Sequence, residues 1–299
     1  MPCLAIGSDL CHDPGLADPH HRQESTQLSP IGLFRKLSLE VLTAGWLWDN
    51  PVYHLPPDQS TIPMKGILAI ETATEACSVA LWRNSQVQQR HEITPRQHSQ
   101  RLFGMLRELL PEGELRQQGV EAIAYGSGPG SFTGLRIAAS AVQGLAYACQ
   151  LPAIPVSTLA CQAQTALREG LVEEGGVVFS ALDARINEIY HACYRIQEGL
   201  PIMLAPPQAS DPAEVVLAED VERAVAIGSG ARFLSSCPDR VCTLMTASYP
   251  DLLPQARDLL PLALASAERG DLQAAIEVQP VYVRDEINWK KISEQGKRT

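Results

Sequence analysis

The sequence predicts an α/β protein built of two small units that divide near residue 165. From residue 64 onward, short apolar runs typical of strands alternate with longer stretches whose apolar residues recur with the period of a helix. Hydrophobic residues make up 45% and charged residues 19% of the 299 residues, a composition typical of a folded globular chain with room for a sizeable core. Alternation of strands and helices is typical of layered α/β domains.

The first 63 residues differ from the rest of the chain. They hold four of the seven histidines and eight of the 22 prolines, and they show no sustained period. At Met64 the pattern changes to Met-Lys-Gly-Ile-Leu-Ala-Ile, which looks like the natural beginning of a protein. We therefore expect residues 1–63 to be a poorly structured extension or upstream sequence from a misplaced start codon, and we favour the second. The remainder is predicted to form an N-terminal lobe, 64–165, and a C-terminal lobe, 166–299.

Three strands are predicted at the start of this remainder, at 67–71, 76–82 and 87–93. The second alternates apolar and polar residues, and Asn84-Ser85 suits a tight turn between the last two. An antiparallel meander is therefore expected.

The first helix is predicted over 94–110. Thr94 is expected to cap it, Pro95 fits the first helical position, and Gln97 can complete a capping box. One face carries an apolar stripe, for which core packing is the default interpretation. The stripe consists of Leu102, Met105, Leu106, Leu109 and Leu110.

A fourth strand, 120–125, leads through a glycine-rich segment into a second helix, 131–149, which is crowded with alanine, serine and glycine. Such small side chains permit close approach of a neighbouring surface. Another helix is expected from Thr158, and Asp211 is expected to cap a helix over 213–218. Further strands are predicted at 177–182, 188–196 and 224–227.

The glycine-rich segment, Gly126 to Gly134, is the strongest local feature. Glycines between a strand and a helix can let backbone N–H groups hold a phosphate. The sequence has no P-loop lysine and lacks the third glycine of the dinucleotide fingerprint, so a tight structural turn is the preferred interpretation. Carboxylates end two strands, Glu71 and Asp183. The candidates for a vestigial phosphate site are Glu71, Thr72, Gly128, Gly130, Ser131 and Thr133.

No catalytic residue, metal ligand or cofactor is predicted. Ser127 and Ser131 do not fit the G-x-S-x-G pattern of a serine hydrolase. The histidines from residue 64 onward (His91, His98 and His191) stand alone, without the spacing of a metal pair. The eight cysteines form no C-x-x-C pair and mostly lie in apolar runs, where a cysteine is a small buried hydrophobe.

Charge and hydropathy limit the possible partners. The net charge is −10, and the chain has only five lysines. Nucleic-acid affinity depends on clustered Lys and Arg, and the one basic cluster is the tail with Lys290, Lys291, Lys297 and Arg298. No apolar run could span a bilayer and the first residues do not look like a secretory signal, so a cytoplasmic location without membrane contact is expected.

Five stretches, taken in order, resemble the TsaB (YeaZ) family. The most specific part is Gly-Pro-Gly-Ser-Phe-Thr-Gly-Leu-Arg at 128–136. The resemblance runs from Met64 almost to the end of the chain. The stretches are 67–82, 126–136, 155–159, 182–190 and 280–284.

This resemblance implies an actin/Hsp70-like (ASKHA) fold of two ribonuclease-H-like lobes, with mixed sheets and flanking helices. It also implies a role as the non-catalytic scaffold of the complex that forms N6-threonylcarbamoyladenosine at position 37 of tRNAs reading codons that begin with A. In that family the TsaD-type subunit is the catalyst and carries the metal-binding histidines, and a TsaE-type ATPase joins the complex. The present chain would then meet tRNA only through the complex, and would pair with itself when alone.

The family builds its interface with TsaD from the first and second helices, 94–110 and 131–149. This implies that one flank of the apolar stripe on the first helix serves the core and another flank faces the partner. Alanines on the second helix would let a partner helix approach closely. The predicted interface residues are Leu102, Met105, Leu106, Leu109, Leu135, Ala138, Ala141 and Leu145.

Two alternatives remain at this stage. One is a nucleotide-binding actin-like ATPase, with Glu71, Thr72 and the glycine-rich segment contacting phosphate. The other is a glycoprotease-like peptidase, against which the missing metal pair and nucleophile argue.

Overall fold

The computed structural model describes residues 64–111 and 113–283, all of which belong to a single unit, 54–299. The expectations for residues 1–63 and for the basic tail lie outside the described residues. Within them the chain forms eleven strands, five α-helices and three short 3₁₀ helices. None of the described helices has the length and apolar character needed to cross a membrane.

The first sheet has the strand order β3-β2-β1-β4-β5. β1 pairs antiparallel with β2, β2 pairs antiparallel with β3, and β4 and β5 run parallel to β1. The predicted meander is therefore confirmed. The strands are β1 (Gly66–Glu71), β2 (Ala76–Arg83), β3 (Gln86–Ile93), β4 (Ala122–Gly128) and β5 (Ala153–Ser157).

The second sheet, ordered β11-β10-β6-β7-β8, repeats this arrangement. β6 pairs antiparallel with β7 and parallel with β10, as β1 does with β2 and β4, while the short β9 adds to β7. This repeated mixed sheet with flanking helices confirms the predicted class, two ribonuclease-H-like lobes in an actin-like fold. The strands are β6 (Val177–Arg185), β7 (Glu188–Gln197), β8 (Leu200–Met203), β9 (Gln208–Ser210), β10 (Ala224–Ile227) and β11 (Met245–Tyr249).

Helices cover both faces of the first sheet. Leu68 and Ile70 of β1 point to one face, where they pack with α1 (His98–Leu109) and α2 (Phe132–Cys149). The alternate residues of the strand point to the other face, against α5 (Ala256–Glu268). Because β1 and β4 are buried on both faces, they are largely apolar, with Glu71 and Ser127 as the polar residues near their ends.

The helix α3 (Thr158–Arg168) follows β5 and packs on the second sheet through Leu159, Ala163 and Ala166. The predicted division near residue 165 falls within this helix, and the division into 64–165 and 166–299 remains a prediction. The opposite face of the second sheet is covered by the 3₁₀ helix Ser229–Ser236 and the short α4 (Asp239–Leu244).

Two helix predictions need correction. α1 begins at His98 after Gln97, which makes no side-chain cap, and the Thr94 hydroxyl is buried without a hydrogen bond, so the predicted capping box is wrong. Arg96 takes a left-handed φ of 65°, which interrupts the helical geometry before the first turn can include Thr94. The helix predicted over 213–218 is a single 3₁₀ turn, Pro212–Glu214, although Asp211 does cap it by accepting from the Ala213 N–H at 2.9 Å.

Candidate functional site

The residues predicted for phosphate binding come together where β1 ends and the loop after β4 begins. Glu71 is fully buried there, and its Oε1 accepts a hydrogen bond from the Ala73 N–H at 2.7 Å. Its Oε2 has no hydrogen-bond partner, and a Cβ at Gly126 would overlap this carboxyl group. Glu71 is therefore enclosed by its own chain.

Burial raises the pKa of Glu71 to about 7, because a buried carboxylate loses its hydration. The Ala73 N–H, and then the nearby Thr158 hydroxyl and Thr72 N–H, oppose this rise because their dipoles favour the charged carboxylate. Thr158 Oγ1 is itself buried and makes no hydrogen bond of regular geometry. The buried thiol of Cys161 lies close enough to be influenced by the Glu71 charge, and burial raises the pKa of this thiol well above its usual value.

The glycine-rich loop lies directly on the turn after β1. Thr72 is fully buried and its Oγ1 donates to the Gly134 carbonyl at 2.8 Å, while the Ser131 N–H donates to the Ala73 carbonyl at 2.7 Å. A Cβ at Gly130 would overlap Ala73, and one at Gly134 would overlap the Thr72 carbonyl. The glycines thus allow two backbone segments to touch.

The remaining loop candidates also have structural roles or face solvent. Gly128 has a left-handed φ of 126°, and a Cβ there would approach the Val281 carbonyl at 2.6 Å. Ser131 is the N-cap of α2 and accepts from the Gly134 N–H at 3.4 Å. Thr133 is exposed in the first turn of α2. A cavity of about 490 Å³ lies elsewhere, lined by Lys65, Arg83 and their neighbours near the beginning of β1.

The second lobe repeats this closed arrangement. Asp183 lies near the end of β6, where its Oδ1 accepts from the Arg185 N–H at 2.8 Å, and its own N–H donates to Ser229 Oγ at 3.0 Å. A Cβ at Gly228 would overlap Gln162, and one at Gly230 would overlap Ala181. Sequence reasoning missed this second loop, although Gly-Ser-Gly follows β10 just as it ends β4.

Titratable side chains show no catalytic grouping in the described part of the chain. No cluster of three or more His, Cys, Asp or Glu residues there could hold a metal ion. His98 lies 3.2 Å from the Ala76 carbonyl and His191 lies 2.9 Å from Ser210 Oγ. Burial lowers the pKa of His91 and of His191, so both favour the neutral form.

Seven of the eight side chains predicted to face the TsaD-type partner are buried in this chain's own core. Ala138 is 0% exposed, and Leu145 is only partly buried. The apolar stripe of α1 and the small face of α2 pack against each other and the first sheet, so they are not available to a partner in this structure. The buried members are Leu102, Met105, Leu106, Leu109, Leu135, Ala138 and Ala141.

The same two helices present a different face to solvent. On α1 this face includes Phe103, beside the half-buried Gly104. On α2, Ser140, Gly144 and Ala148 recur one turn apart with Tyr147 among them, and Gly144 has open space where a Cβ would lie. We call Phe103, Gly104, Ser140, Gly144, Tyr147 and Ala148 the α1/α2 surface.

Taken together, the two lobes define an actin-like α/β protein. The space beside its loop glycines is occupied by atoms of the same chain. A family model described as TsaD, tRNA N6-adenosine threonylcarbamoyltransferase, matches residues 85–234. The tRNA threonylcarbamoyladenosine biosynthesis protein TsaB of Escherichia coli (strain K12) is 38% identical over 235 residues, covering 76% of this chain and 97% of that protein.

TsaB of Haemophilus influenzae is 32% identical over 234 residues, covering 76% of this chain and 96% of that protein. The solved structure of YeaZ from Pseudomonas aeruginosa matches with a TM-score of 0.68 at 41% identity, covering 73% of this chain and 100% of that chain. The chain belongs to the TsaB family, as its sequence stretches indicated.

Proposed function

We propose that this chain takes part in tRNA threonylcarbamoyladenosine biosynthesis as a non-catalytic subunit. Its relatives are named for that process, which supports the first half of the proposal. The closed glycine loop supports the second half, the non-catalytic role. A phosphate needs N–H groups directed into open space, whereas the Ser131 N–H is already bonded to Ala73 and the glycine positions face chain atoms.

The chain would act as a scaffold for a TsaD-type catalytic subunit. The α1/α2 surface supports this role because it combines exposed aromatic rings with small residues that let a partner helix come close. Phe103 is 49% exposed and Tyr147 is 79% exposed, and aromatic side chains are common anchors at protein interfaces. The same surface would pair two copies of the chain when the partner is missing.

Contact with tRNA would come through the complex. A net charge of −10 opposes the approach of a phosphate backbone, so a partner would have to supply most of the cations. A TsaE-type ATPase would join the assembly, as it does in the family.

Reconstitution tests both parts of this function. The purified chain, mixed with tRNA, threonylcarbamoyl-AMP and magnesium, should give no modified adenosine until a TsaD-type subunit is added. Modification without that subunit would show that this chain is itself the catalyst. A casein digest and a nucleotide titration of the chain alone should likewise show no cleavage and no saturable binding.

Matched substitutions test the surface. Gly144→Arg and Tyr147→Arg should abolish partner binding on size-exclusion chromatography and leave the circular dichroism spectrum intact. Val216→Arg is the control, because Val216 is 78% exposed, nearly equal to Tyr147, but lies outside α1 and α2. Full binding of the partner by both surface variants would show that the interface lies outside α1 and α2.

A further inference from the structure

Two cysteines flank the start of α4, and both thiols bind carbonyl groups of the same backbone turn. Pro238 is the N-cap of this helix, so Cys237 precedes the cap and Cys242 is the fourth helical residue. Side chains at these two positions pack together in the hydrophobic staple arrangement. The sequence therefore brings two thiols to one place across a six-residue span.

Hydrogen bonds fix both thiols over one backbone turn. The Cys242 Sγ lies 3.0 Å from the Leu234 carbonyl oxygen and 3.5 Å from that of Cys237. The Cys237 Sγ lies 3.6 Å from the carbonyl oxygen of Phe233, the residue before Leu234. The two sulfurs therefore lie beside consecutive carbonyl groups of one turn, next to each other in the structure.

The two thiols differ in access. Cys242 is the exposed one among the six free cysteines in the described ranges, whereas Cys237 is only 8% exposed. Burial first, and then the neighbouring Cys242, raise the pKa of Cys237 to about 11. An oxidant in solution therefore reaches Cys242 first, while the neighbouring Cys237 thiol stays protonated.

We propose that Cys237 and Cys242 form a redox-active dithiol that hydroperoxides convert into an intramolecular disulfide. The Cys242 thiolate attacks the peroxide oxygen, the O–O bond breaks, and a sulfenic acid forms with release of water or an alcohol. Cys237 then loses its proton and attacks the Cys242 sulfur, which displaces hydroxide as water and forms the S–S bond. Two electrons pass from the two thiols to the peroxide.

Closing the bond to about 2 Å requires both sulfurs to leave their carbonyl partners, and these are weak S–H hydrogen bonds. The disulfide joins the 3₁₀ helix Ser229–Ser236 to α4. Both segments cover the second sheet, where Phe233, Leu234 and Val241 pack in one cluster. Oxidation therefore cross-links the two segments that cover this sheet, and an excess of free thiol reduces the disulfide again.

The position of Arg240 gives a direct test, because it lies between the two cysteines. Full-length protein is treated with hydrogen peroxide, alkylated and digested with trypsin. Cleavage after Arg240 separates peptide 233–240 from peptide 241–257, each with one cysteine. We expect the two peptides to appear joined, at their summed mass less two hydrogens, and to separate on treatment with dithiothreitol.

Two variants assign the order of reaction. Cys237→Ser should stop at the sulfenic acid of Cys242, which a 1,3-dione reagent traps, and Cys242→Ser should leave Cys237 reduced at the same peroxide dose. The half-buried Cys149 is the internal control. It should stay reduced during the peroxide treatment and therefore be alkylated in every sample. Absence of the joined peptides, or equal oxidation of Cys149, would overturn the proposal and leave the proposed scaffold function untouched.

Discussion

Thr72 Oγ1 donates a hydrogen bond to the Gly134 carbonyl oxygen over 2.8 Å and so ties the end of β1 to the first turn of α2. In return, Gly134 leaves room for the Thr72 carbonyl, which a Cβ would overlap. The two residues belong to the two segments that would surround a phosphate in a nucleotide-binding protein. Here their direct contact closes that space.

We expect Gly134→Ala to destabilise the protein by about 2 kcal/mol or more, because backbone must move to admit the methyl group. Gly144→Ala, on the same helix, should instead stabilise it by about 0.5–1 kcal/mol, because its site is open and alanine is the better helix former. Urea unfolding of the two variants beside the parent chain measures both effects. Equal changes in the free energy of unfolding for the two variants would mean that Gly134 has room for a side chain and is not in close contact with the Thr72 carbonyl.

The buried Glu71 gives a prediction about pH. Its pKa is about 7 in the folded chain against 4.5 as the reference value, so the folded state holds a proton that the unfolded state has lost. The stabilisation from this proton is complete below about pH 4.5 and is lost as the pH rises towards 7. The full loss is on the order of 3 kcal/mol.

Glu71→Gln removes this charge and keeps the shape, so we expect the variant to gain stability over the parent chain as the pH rises from 5 to 8. Urea unfolding at several pH values measures that difference. The half-buried His91 and the buried His191 act in the opposite direction, because their lowered pKa values favour folding at higher pH, but they are common to both proteins. A constant difference between the proteins would show that Glu71 is ionised throughout.

Much of the fold follows from local sequence. Strands 67–71, 76–82 and 224–227 were predictable because apolar runs and turn residues bound them closely. α5 was missed because Pro261 interrupts its pattern, although the helix continues through it. The sequence also could not show that α5 returns to the first sheet, since that contact depends on packing between distant parts of the chain.

The candidate site was harder to predict. The glycines of 126–134 are compatible with a phosphate cradle and with close packing of the chain on itself, and only the position of the Thr72–Ala73 backbone distinguishes these. The apolar periodicity of α1 and α2 correctly marked a packed face. It could not identify what that face packs against, which in this structure is the chain's own first sheet.

A third prediction follows for α2. Ala138→Arg should unfold the protein, because it buries a charge in the core where no partner is available. Ser140→Arg, two residues further along the helix and exposed, should change the free energy of unfolding by less than about 0.5 kcal/mol. Circular dichroism melts compare the two. A folded Ala138→Arg chain would reveal a second conformation in which this face is open.

The last prediction concerns the contact between α3 and α5. Arg168 binds Asp258 through two hydrogen bonds, Nε to Oδ1 at 2.7 Å and Nη2 to Oδ2 at 3.0 Å, and Thr165 also donates to Oδ2 at 2.8 Å. Asp258 is only 3% exposed. Because α3 covers the second sheet and α5 covers the first, this ion pair joins the helices of the two sheets.

We expect Arg168→Met to cost about 3 kcal/mol, since it leaves a buried carboxylate with Thr165 alone. Adding Asp258→Leu should recover most of that loss, because both charges are then gone. The control is the Arg269–Asp271 pair, whose side chains are 62% and 58% exposed and whose removal should cost less than about 0.5 kcal/mol. Urea unfolding of the single and double variants measures the coupling directly. Additive losses in the double variant would show that burial of the leucine does not replace the ion pair, and that the helices need the charges themselves to stay together.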